Sequence, residues 1–361
     1  MQLRIPGPTP LPDEILHAMS KQMINHRGPE FAEIMNRTTK NLKDMFQTKA
    51  DILLLTCSGT GGMEAAIVNT LSPGDKVLSV TNGAFGDRFA DIAEIFGAHV
   101  QRLSFEWGTA VDPQEVRRAL SNDAGIKAVL VTHNETSTAV TNDLAAISAV
   151  VREYEKLLIV DAISSLGCID LPTDEWGCDV VITGSQKGWM APPGLAMVSV
   201  GDRAWQAQAQ ATMPKFYWDF AKAKKFLEKS QTPFTPSVST FYALDAALEL
   251  LQREGLKNIF ARHAIIAAKA REAVKSLGLS LFADESCASN TITAVKATKG
   301  LDSKKLLKIL REEYDTVLAG GQQRLDGKIF RIGHLGYVNE GDIDATIEAL
   351  KAALPQAGFS G

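Results

Sequence analysis

The chain has 361 residues, of which 45% are hydrophobic and 22% are charged, and its formal net charge is −4. This length predicts two or three domains, and the slightly acidic balance excludes a broad basic surface for nucleic acid. No apolar stretch approaches the roughly 20 residues of a membrane span, and residues 1–6 lack the features of a signal peptide, so we expect a cytoplasmic protein.

The chain opens on a proline-rich segment, Pro6-Gly7-Pro8-Thr9-Pro10, which cannot form the interior of a helix. We predict an extended N-terminal arm over residues 1–20, with a disordered terminus as the alternative. An amphipathic helix is predicted after it, over about Phe31–Phe46.

From Ile52 onward, apolar strands alternate with helices. The predicted strands are Ile52–Leu55, Lys76–Val80, Val100–Phe105, Ala128–Thr132, Leu157–Val160, Val180–Ile182 and Leu195–Val200. The predicted helices are about Gly61–Leu71, Phe85–Phe96, Pro113–Leu120 and Asn142–Tyr154. Such alternation indicates an α/β fold in which helices cover both faces of a mainly parallel sheet.

Beyond about Val200 the pattern changes to longer helices and short strands. An apolar stripe with helical spacing is formed by Phe241, Leu244, Leu248 and Leu251. Later elements are predicted at about Leu256–Leu277, Thr291–Ala297, Ser303–Glu313, Ile329–Ile332 and Gly341–Leu354. We therefore predict a large domain over residues 21–254 and a smaller C-terminal α/β domain over residues 255–361.

A glycine-rich turn follows the first predicted strand of the sheet. In Thr56-Cys57-Ser58-Gly59-Thr60-Gly61-Gly62, the N–H groups at the start of the next helix and the Ser58 and Thr60 hydroxyls suit a phosphate. A dinucleotide fingerprint and a Walker loop both fail on spacing. A simple tight turn is the alternative.

Lys187 stands on a short loop between two apolar strands. A lysine that is partly desolvated there has a lowered pKa and can attack a carbonyl group, whereas a solvated loop lysine is the alternative. Asp161 ends another apolar strand, at the edge where open parallel sheets bind ligands. Its carboxylate is a candidate partner for the ring nitrogen of pyridoxal phosphate (PLP), which must be protonated to withdraw electrons.

Arg331 lies inside a predicted apolar strand. A buried guanidinium is costly unless it is paired. Its planar fork suits the α-carboxylate of an amino acid, and a structural ion pair with Asp or Glu is the alternative.

Asp161-Ala162-Ile163-Ser164-Ser165-Leu166-Gly167, Gly184-Ser185-Gln186-Lys187 and Ala191-Pro192-Pro193-Gly194 together resemble the class V aminotransferases. These are PLP-dependent enzymes of fold type I. The resemblance is greatest to the alanine/serine–glyoxylate and serine–pyruvate aminotransferases and to similar chains called the small subunit of soluble hydrogenase. It runs from the proline-rich arm to Gly336, nearly the whole chain.

The resemblance implies a role for each matching residue. Lys187 would hold PLP as a Schiff base and move the substrate proton, and Asp161 would keep the ring nitrogen protonated. The cofactor contacts would be the phosphate cup Ser58, Gly59 and Thr60, then Phe85 stacked on the ring, Thr136 at the ring oxygen, Gln186 at the phosphate, and Thr232 and Thr235 reaching the partner's phosphate. Gly7, on an arm that crosses to the partner, and Arg331 would bind substrate.

The implied reaction is transamination between a small L-amino acid, alanine or serine, and a 2-oxo acid, glyoxylate or pyruvate, in a homodimer with shared active sites. Other class V chemistry is the first alternative: a phosphonate or phosphoserine aminotransferase, or a lyase, would want a second anion-binding cluster. An accessory subunit of a larger complex is the second. Four cysteines and six histidines show no metal-binding spacing, so we expect no metal.

Overall fold

The computed structural model describes residues 1–298 and 300–359. The strands in this part of the chain are β1 (Gln2–Leu3), β2 (Asp51–Leu55), β3 (Lys76–Thr81), β4 (His99–Ser104), β5 (Ile126–Thr132), β6 (Asn134–Glu135), β7 (Val140–Thr141), β8 (Leu157–Asp161), β9 (Val180–Gly184), β10 (Ala196–Val200), β11 (Ile292–Lys296), β12 (Thr316–Val317), β13 (Ala319–Gly320) and β14 (Ile329–Gly333). The helices are α1 (Asp13–Met19), α2 (Pro29–Phe46), α3 (Gly59–Thr70), α4 (Ala84–Ile95), α5 (Pro113–Asn122), α6 (Leu144–Glu153), α7 (Thr173–Trp176), α8 (Asp202–Gln210), α9 (Phe220–Leu227), α10 (Val238–Glu254), α11 (Leu256–Ser276), α12 (Ser303–Glu313) and α13 (Glu340–Ala353).

The largest sheet has seven strands in the order β2-β10-β9-β8-β5-β3-β4. The run from β9 to β4 is parallel, and β10 lies antiparallel to both β2 and β9. The prediction of an α/β fold with a mainly parallel sheet is therefore confirmed. β8 and β9 are buried along their whole length, which explains why they read as continuous apolar runs.

Two apolar cores cover the two faces of this sheet. Successive side chains of a strand point to opposite faces, so Leu158 and Val160 lie in one core and Ile159 lies in the other. Helices α2, α5, α6 and α10 supply the first core, and α3, α4, α8 and α9 supply the second. The sheet is thus held rigidly from both sides, and only its strand ends are open for a site.

The C-terminal part contains a separate antiparallel sheet in the order β11-β14-β13. Residues of α12 and α13 pack on it around the buried Phe330 and Ile332. The predicted boundary after Glu254 falls between α10 and α11. It stays a prediction, because α11 contributes Ile259 to the core of the large sheet and Val274 to the core of the small one.

The N-terminal arm packs on its own chain. β1 pairs in parallel with β12, the Gly333 N–H donates to the Arg4 carbonyl at 2.7 Å, and the Arg4 guanidinium pairs with Asp342. Helix α1, which the sequence analysis did not predict, follows and buries Ile15. These contacts tie the arm to the C-terminal sheet of its own chain.

Candidate active site

The ends of five strands meet at one edge of the large sheet. These strands are β2, β3, β5, β8 and β9. Most of the residues predicted to form the site lie at the ends of these strands, on the loops that follow them or in the first turn of the next helix. They enclose a cavity of about 150 Å³, lined by Ser58, Gly59, Thr60, Phe85, Arg88, Thr136, Asp161, Ile163, Ser164, Gln186 and Lys187. The structure thus brings together eight of the twelve predicted site residues: Ser58, Gly59, Thr60, Phe85, Thr136, Asp161, Gln186 and Lys187.

Lys187 lies on the loop from β9 to β10. The Ser185 hydroxyl fixes this loop by donating to the Pro192 carbonyl at 2.6 Å and accepting the Leu195 N–H at 3.2 Å. Burial lowers the pKa of Lys187 to about 8, and the nearby Asp161 carboxylate opposes this shift. On the order of one tenth of the amine is then uncharged at pH 7, so Lys187 can act as a nucleophile or base.

Asp161 ends β8 and is buried. Its Oδ1 accepts the Ile163 N–H at 2.9 Å, and its Oδ2 lies 3.5 Å from the Thr132 hydroxyl. Burial raises the pKa of Asp161 to about 7, while the Ile163 N–H acts in the opposite direction. A buried carboxylate with so few donors is suited to receive a cationic N–H, which would stabilise its charged form.

The glycine-rich turn forms the start of α3, as predicted. Ser58 is the residue before the first helical one, and it makes no side-chain capping bond. Within residues 1–298 and 300–359, the N–H groups of Gly59 and Thr60 have no acceptor. A Cβ on Gly59 would lie 2.5 Å from Ile163 Cδ1, so a larger residue here would require the Ile163 side chain to move.

Phe85 lies in the first turn of α4, and Glu135, a residue not predicted from the sequence to belong to the site, holds this turn in place. Glu135 is fully buried, and its carboxylate accepts the N–H groups of Phe85 at 3.1 Å and Gly86 at 3.0 Å. Burial raises the pKa of Glu135. A Cβ on Gly83 would lie 2.2 Å from Glu135 Cγ, which explains the glycine before the helix.

Thr136 reaches the cavity beside Ser164. The Thr136 hydroxyl donates to Ser164 Oγ at 2.7 Å, and Ser164 in turn donates to the Asn134 carbonyl at 2.9 Å. Ile163 and Ser164 also line the cavity. They were quoted in the sequence motif after Asp161 but given no role, although their position directly after a catalytic candidate was a usable signal.

Arg331 is buried on β14, with a side chain that reaches the cavity loop. Its Nε donates to the Gly320 carbonyl at 2.9 Å, and its Nη1 donates to the Thr136 carbonyl at 3.0 Å and to Gln322 Oε1 at 3.2 Å. The ion pairs that arginines form in the described residues do not include Arg331. The alternative of a structural ion pair is therefore wrong, because neutral carbonyl oxygens position this guanidinium.

The remaining charge on Arg331 is available to a ligand. Burial lowers the pKa of Arg331 to about 10, a shift that the Glu135 carboxylate opposes, so the group stays cationic at neutral pH. Its Nη2 has no hydrogen-bond acceptor among the residues that the structure describes. A small carboxylate is the kind of group that such a free donor and charge can bind.

Gly7 lies against Lys187 of the same chain. Its φ is +121°, and a Cβ built there would lie 2.7 Å from Lys187 Cδ and 2.8 Å from Nζ. Lys187 Nζ donates to the Pro6 carbonyl, and the Thr9 N–H donates to the Gln186 carbonyl at 3.1 Å. Strand pairing and these bonds hold the arm at the lysine of its own chain, and the expectation that the arm also crosses to a partner stays a prediction.

Thr232 and Thr235 do not line the cavity of their own chain. Thr232 is buried and its hydroxyl donates to the Phe234 carbonyl at 2.7 Å, whereas Thr235 is exposed. Their assignment concerned a partner's site and stays a prediction.

The cavity suits PLP in its donor set. The phosphate end offers two hydroxyls and two unpaired N–H groups, and the amide oxygen of Gln186 is buried without a partner in the described part of the chain. The opposite end offers a buried carboxylate and a lysine whose pKa is lowered. No group of three or more His, Cys, Asp or Glu residues in the described ranges is placed to hold a metal ion.

Fold and site together define a transferase of the type that carries a lysine at the edge of a parallel sheet. The sequence matches the family model for class-V aminotransferases over residues 3–332, and the chain belongs to that family. It is a PLP-dependent aminotransferase by this membership, so the prediction of enzyme class is confirmed. In the described residues, no helix has the length and apolar character needed to cross a membrane.

Several known proteins are similar over nearly the whole chain. The soluble hydrogenase small subunit of Synechococcus sp. is 48% identical, covering 99% of this chain and 94% of that one. The L-aspartate–glyoxylate aminotransferase of Paracoccus denitrificans is 39% identical, covering 93% and 86%. The crystal structure of an alanine–glyoxylate aminotransferase from Nostoc sp. superposes with a TM-score of 0.94 at 31% identity, covering 98% and 95%. The fold predicted from the resemblance is thus confirmed.

Proposed function

We propose that the protein transfers the amino group of a small L-amino acid, alanine or serine, to glyoxylate, with PLP as the carrier and pyruvate as a second acceptor. The observation that carries the proposal is that Lys187 lies within electrostatic reach of both the buried Asp161 carboxylate and the Arg331 guanidinium, for which the described residues provide no ion-pair partner. Two of the similar proteins are named for glyoxylate and differ in the donor. These similarities therefore support glyoxylate as the acceptor more strongly than they support any one donor.

Bound PLP would supply an electron sink for the charge left when the donor loses its Cα proton. Ser58, Gly59, Thr60 and Gln186 would hold its phosphate, and Phe85 would fix the ring plane by stacking. The Thr136 hydroxyl, which Ser164 positions through a 2.7 Å hydrogen bond, would bind the ring oxygen.

Three charged side chains perform the proton transfer and the orientation. Asp161 keeps the ring nitrogen protonated, since a cationic N–H is the partner that stabilises its buried charge. Lys187, as the free amine, takes the proton from the donor Cα and returns it at the cofactor's C4′. Arg331 binds the α-carboxylate through its unpaired Nη2, so the Cα–H bond is presented to Lys187. The arm, with Gly7 on Lys187, excludes water from this side.

The homodimer and the cytoplasmic location are part of the proposal. An aromatic cluster lies beside the segment that holds Thr232 and Thr235: the Tyr217 ring stacks on Phe234 at 4.9 Å, and Phe216 is 74% exposed. Apolar rings exposed together favour burial against a second copy, from which both threonines would reach the partner's phosphate. Thr235→Ala should then weaken PLP binding, and a dimer should be observed by light scattering.

A second candidate function is supported by the similarity to a hydrogenase subunit, which favours an accessory subunit that binds PLP without turnover. A donor-by-acceptor screen decides between the two. We expect glyoxylate-dependent consumption of alanine or serine by the purified protein, with an absorption change of the cofactor on adding donor alone. Cofactor binding with no transfer for any pair, aspartate and phosphoserine included, would contradict transamination.

A further inference from the structure

Arg88 lies on α4 and lines the cavity, although the sequence analysis assigned it no role. Its guanidinium carbon is 4.7 Å from the centre of the Phe85 ring, and its Nη1 is 3.5 Å from the Thr60 hydroxyl. In the described ranges, the ion pairs of arginine residues do not include Arg88. Beside the phosphate cup, Arg88 is thus a cation that forms no ion pair with a carboxylate in the described part of the chain.

The cup itself offers only neutral donors. Ser58, Thr60 and Gln186 contribute hydroxyl and amide groups, and the start of α3 adds the partial positive charge of a helix terminus. A phosphate monoester carries a charge between −1.5 and −2 near neutrality. Apart from Lys187, which is needed for the reaction, Arg88 is the cationic residue among those lining the cavity.

We infer that Arg88 binds the phosphate group of the cofactor and supplies the charge that the neutral cup lacks. This inference rests on the proposed function, because it requires PLP in the cavity. The cation–π contact with the Phe85 ring restricts the guanidinium beside the Thr60 hydroxyl, so its donors are presented at little further entropic cost.

The test compares ligands with and without the phosphate. Cofactor-free parent protein, Arg88→Gln and Arg88→Lys are titrated with PLP, with pyridoxal, and with inorganic phosphate as a competitor of PLP. We expect Arg88→Gln to raise the Kd of PLP about 10- to 100-fold and to weaken phosphate competition in parallel, while the Kd of pyridoxal stays unchanged. Arg88→Lys keeps the charge without the fork, so its loss should be smaller.

The matched control is Arg102→Gln. Arg102 lies on β4 and pairs with Asp91 and Glu94 of α4, the helix that carries Arg88, but it does not line the cavity. This substitution should leave all three affinities unchanged. Equal losses for PLP and pyridoxal in Arg88→Gln would overturn the inference and show that Arg88 acts through the Phe85 ring. Unchanged PLP affinity, with a raised KM for a dicarboxylic donor, would overturn it in favour of a substrate contact. If Arg88→Gln does not fold, Arg88→Met replaces it as the uncharged variant, and an unchanged PLP affinity in Arg88→Met overturns the inference.

Failure of the proposed function gives a different result. In that case the parent protein takes up no PLP, borohydride reduction fixes none on Lys187, or the loaded parent transfers no amino group in the donor-by-acceptor screen. Loss of the phosphate-specific difference in a parent that does carry PLP on Lys187 contradicts only the role of Arg88.

Discussion

Lys187 lines the cavity and Arg331 is buried beside the loop that carries Thr136, and the surroundings of these two cations differ in one decisive respect. Lys187 follows a strand of the large sheet, where the Asp161 carboxylate affects its pKa. Arg331 belongs to the small antiparallel sheet, and its hydrogen bonds go to two backbone carbonyls and one amide oxygen. Burial lowers the pKa of both groups, to about 8 and about 10 respectively.

This difference separates two kinds of chemistry. A pKa near 8 lets Lys187 gain and lose a proton close to neutrality, as a base must. A pKa near 10 leaves Arg331 charged throughout that range, and its neutral partners hold its position without neutralising it. The lysine end of the site, Lys187 with Asp161, is therefore suited to move a proton, and the anion-binding end, Arg331, is suited to hold a carboxylate.

Removing the proton-transferring end should have the largest effect. We expect Lys187→Ala to lower turnover by roughly 10⁴-fold or more, because nucleophile and base are lost together. Borohydride reduction followed by peptide mapping should find PLP on Lys187 in the parent and on no residue in the variant. Lys308→Ala, which changes an exposed lysine, is the control. Labelling of another lysine in the parent would show that Lys187 is not the residue that holds PLP.

Asp161→Asn tests the carboxylate that distinguishes the lysine end. An amide cannot stabilise a protonated ring nitrogen, so turnover should fall by about 10²- to 10⁴-fold, or about 2.7–5.4 kcal/mol of barrier. The folded structure should persist, because the side chain accepts one N–H bond that an amide oxygen can also accept. Turnover within a few-fold of the parent would exclude the proposed role of Asp161.

Sequence patterns predicted the large sheet and the lysine end because their signals are local. Buried parallel strands are continuous apolar runs. Asp161 ends such a run, and Ser58 and Lys187 each lie on the loop that follows one. The presence of the N-terminal arm was predicted, but its pairing with the rest of the chain could not be predicted in the same way. Its two-residue strand β1 pairs with β12 at the other end of the chain, and two residues carry no recognisable periodicity.

The contacts of Arg331 could not be predicted from local sequence patterns either. The sequence placed it inside an apolar strand, but its partners are carbonyl oxygens, which every residue carries. Glu135 illustrates the same limit, because its buried carboxylate binds N–H groups of α4 across about fifty residues of sequence. Such contacts depend on how the loops meet after folding.

Arg331→Lys tests the anion-binding end. Lysine keeps a charge but loses the planar fork, so kcat/KM should fall about 10- to 100-fold for every donor and acceptor together, since all share the α-carboxylate. PLP affinity should be unchanged, because the phosphate cup lies on α3. Normal kcat/KM with a lowered Tm would show that Arg331 only supports the fold.

The lowered pKa of Lys187 predicts a pH dependence for the reaction of this lysine with PLP. Its folded-state pKa is lowered to about 8 from an ordinary value of 10.5, so the reactive free amine increases as pH rises through 8. The rate of PLP uptake by cofactor-free protein should rise about tenfold per pH unit below pH 8 and level off above it. Asp161→Asn removes the opposing carboxylate, so its midpoint should move to lower pH. A midpoint near 10 in the parent would contradict the desolvated environment.

Gln322→Glu would make the two ends alike by giving Arg331 a carboxylate partner at the position of the present 3.2 Å hydrogen bond to Oε1. The new charge should hold the guanidinium but compete with the substrate carboxylate, so KM should rise about 3- to 10-fold with kcat little changed. Gln322→Ala removes the hydrogen bond without adding charge and should have the smaller effect on KM. PLP affinity and Tm of both variants should stay close to the parent values. Equal KM changes in the two variants would mean that Gln322 only orients Arg331, and that the absence of a carboxylate partner does not matter for binding the substrate.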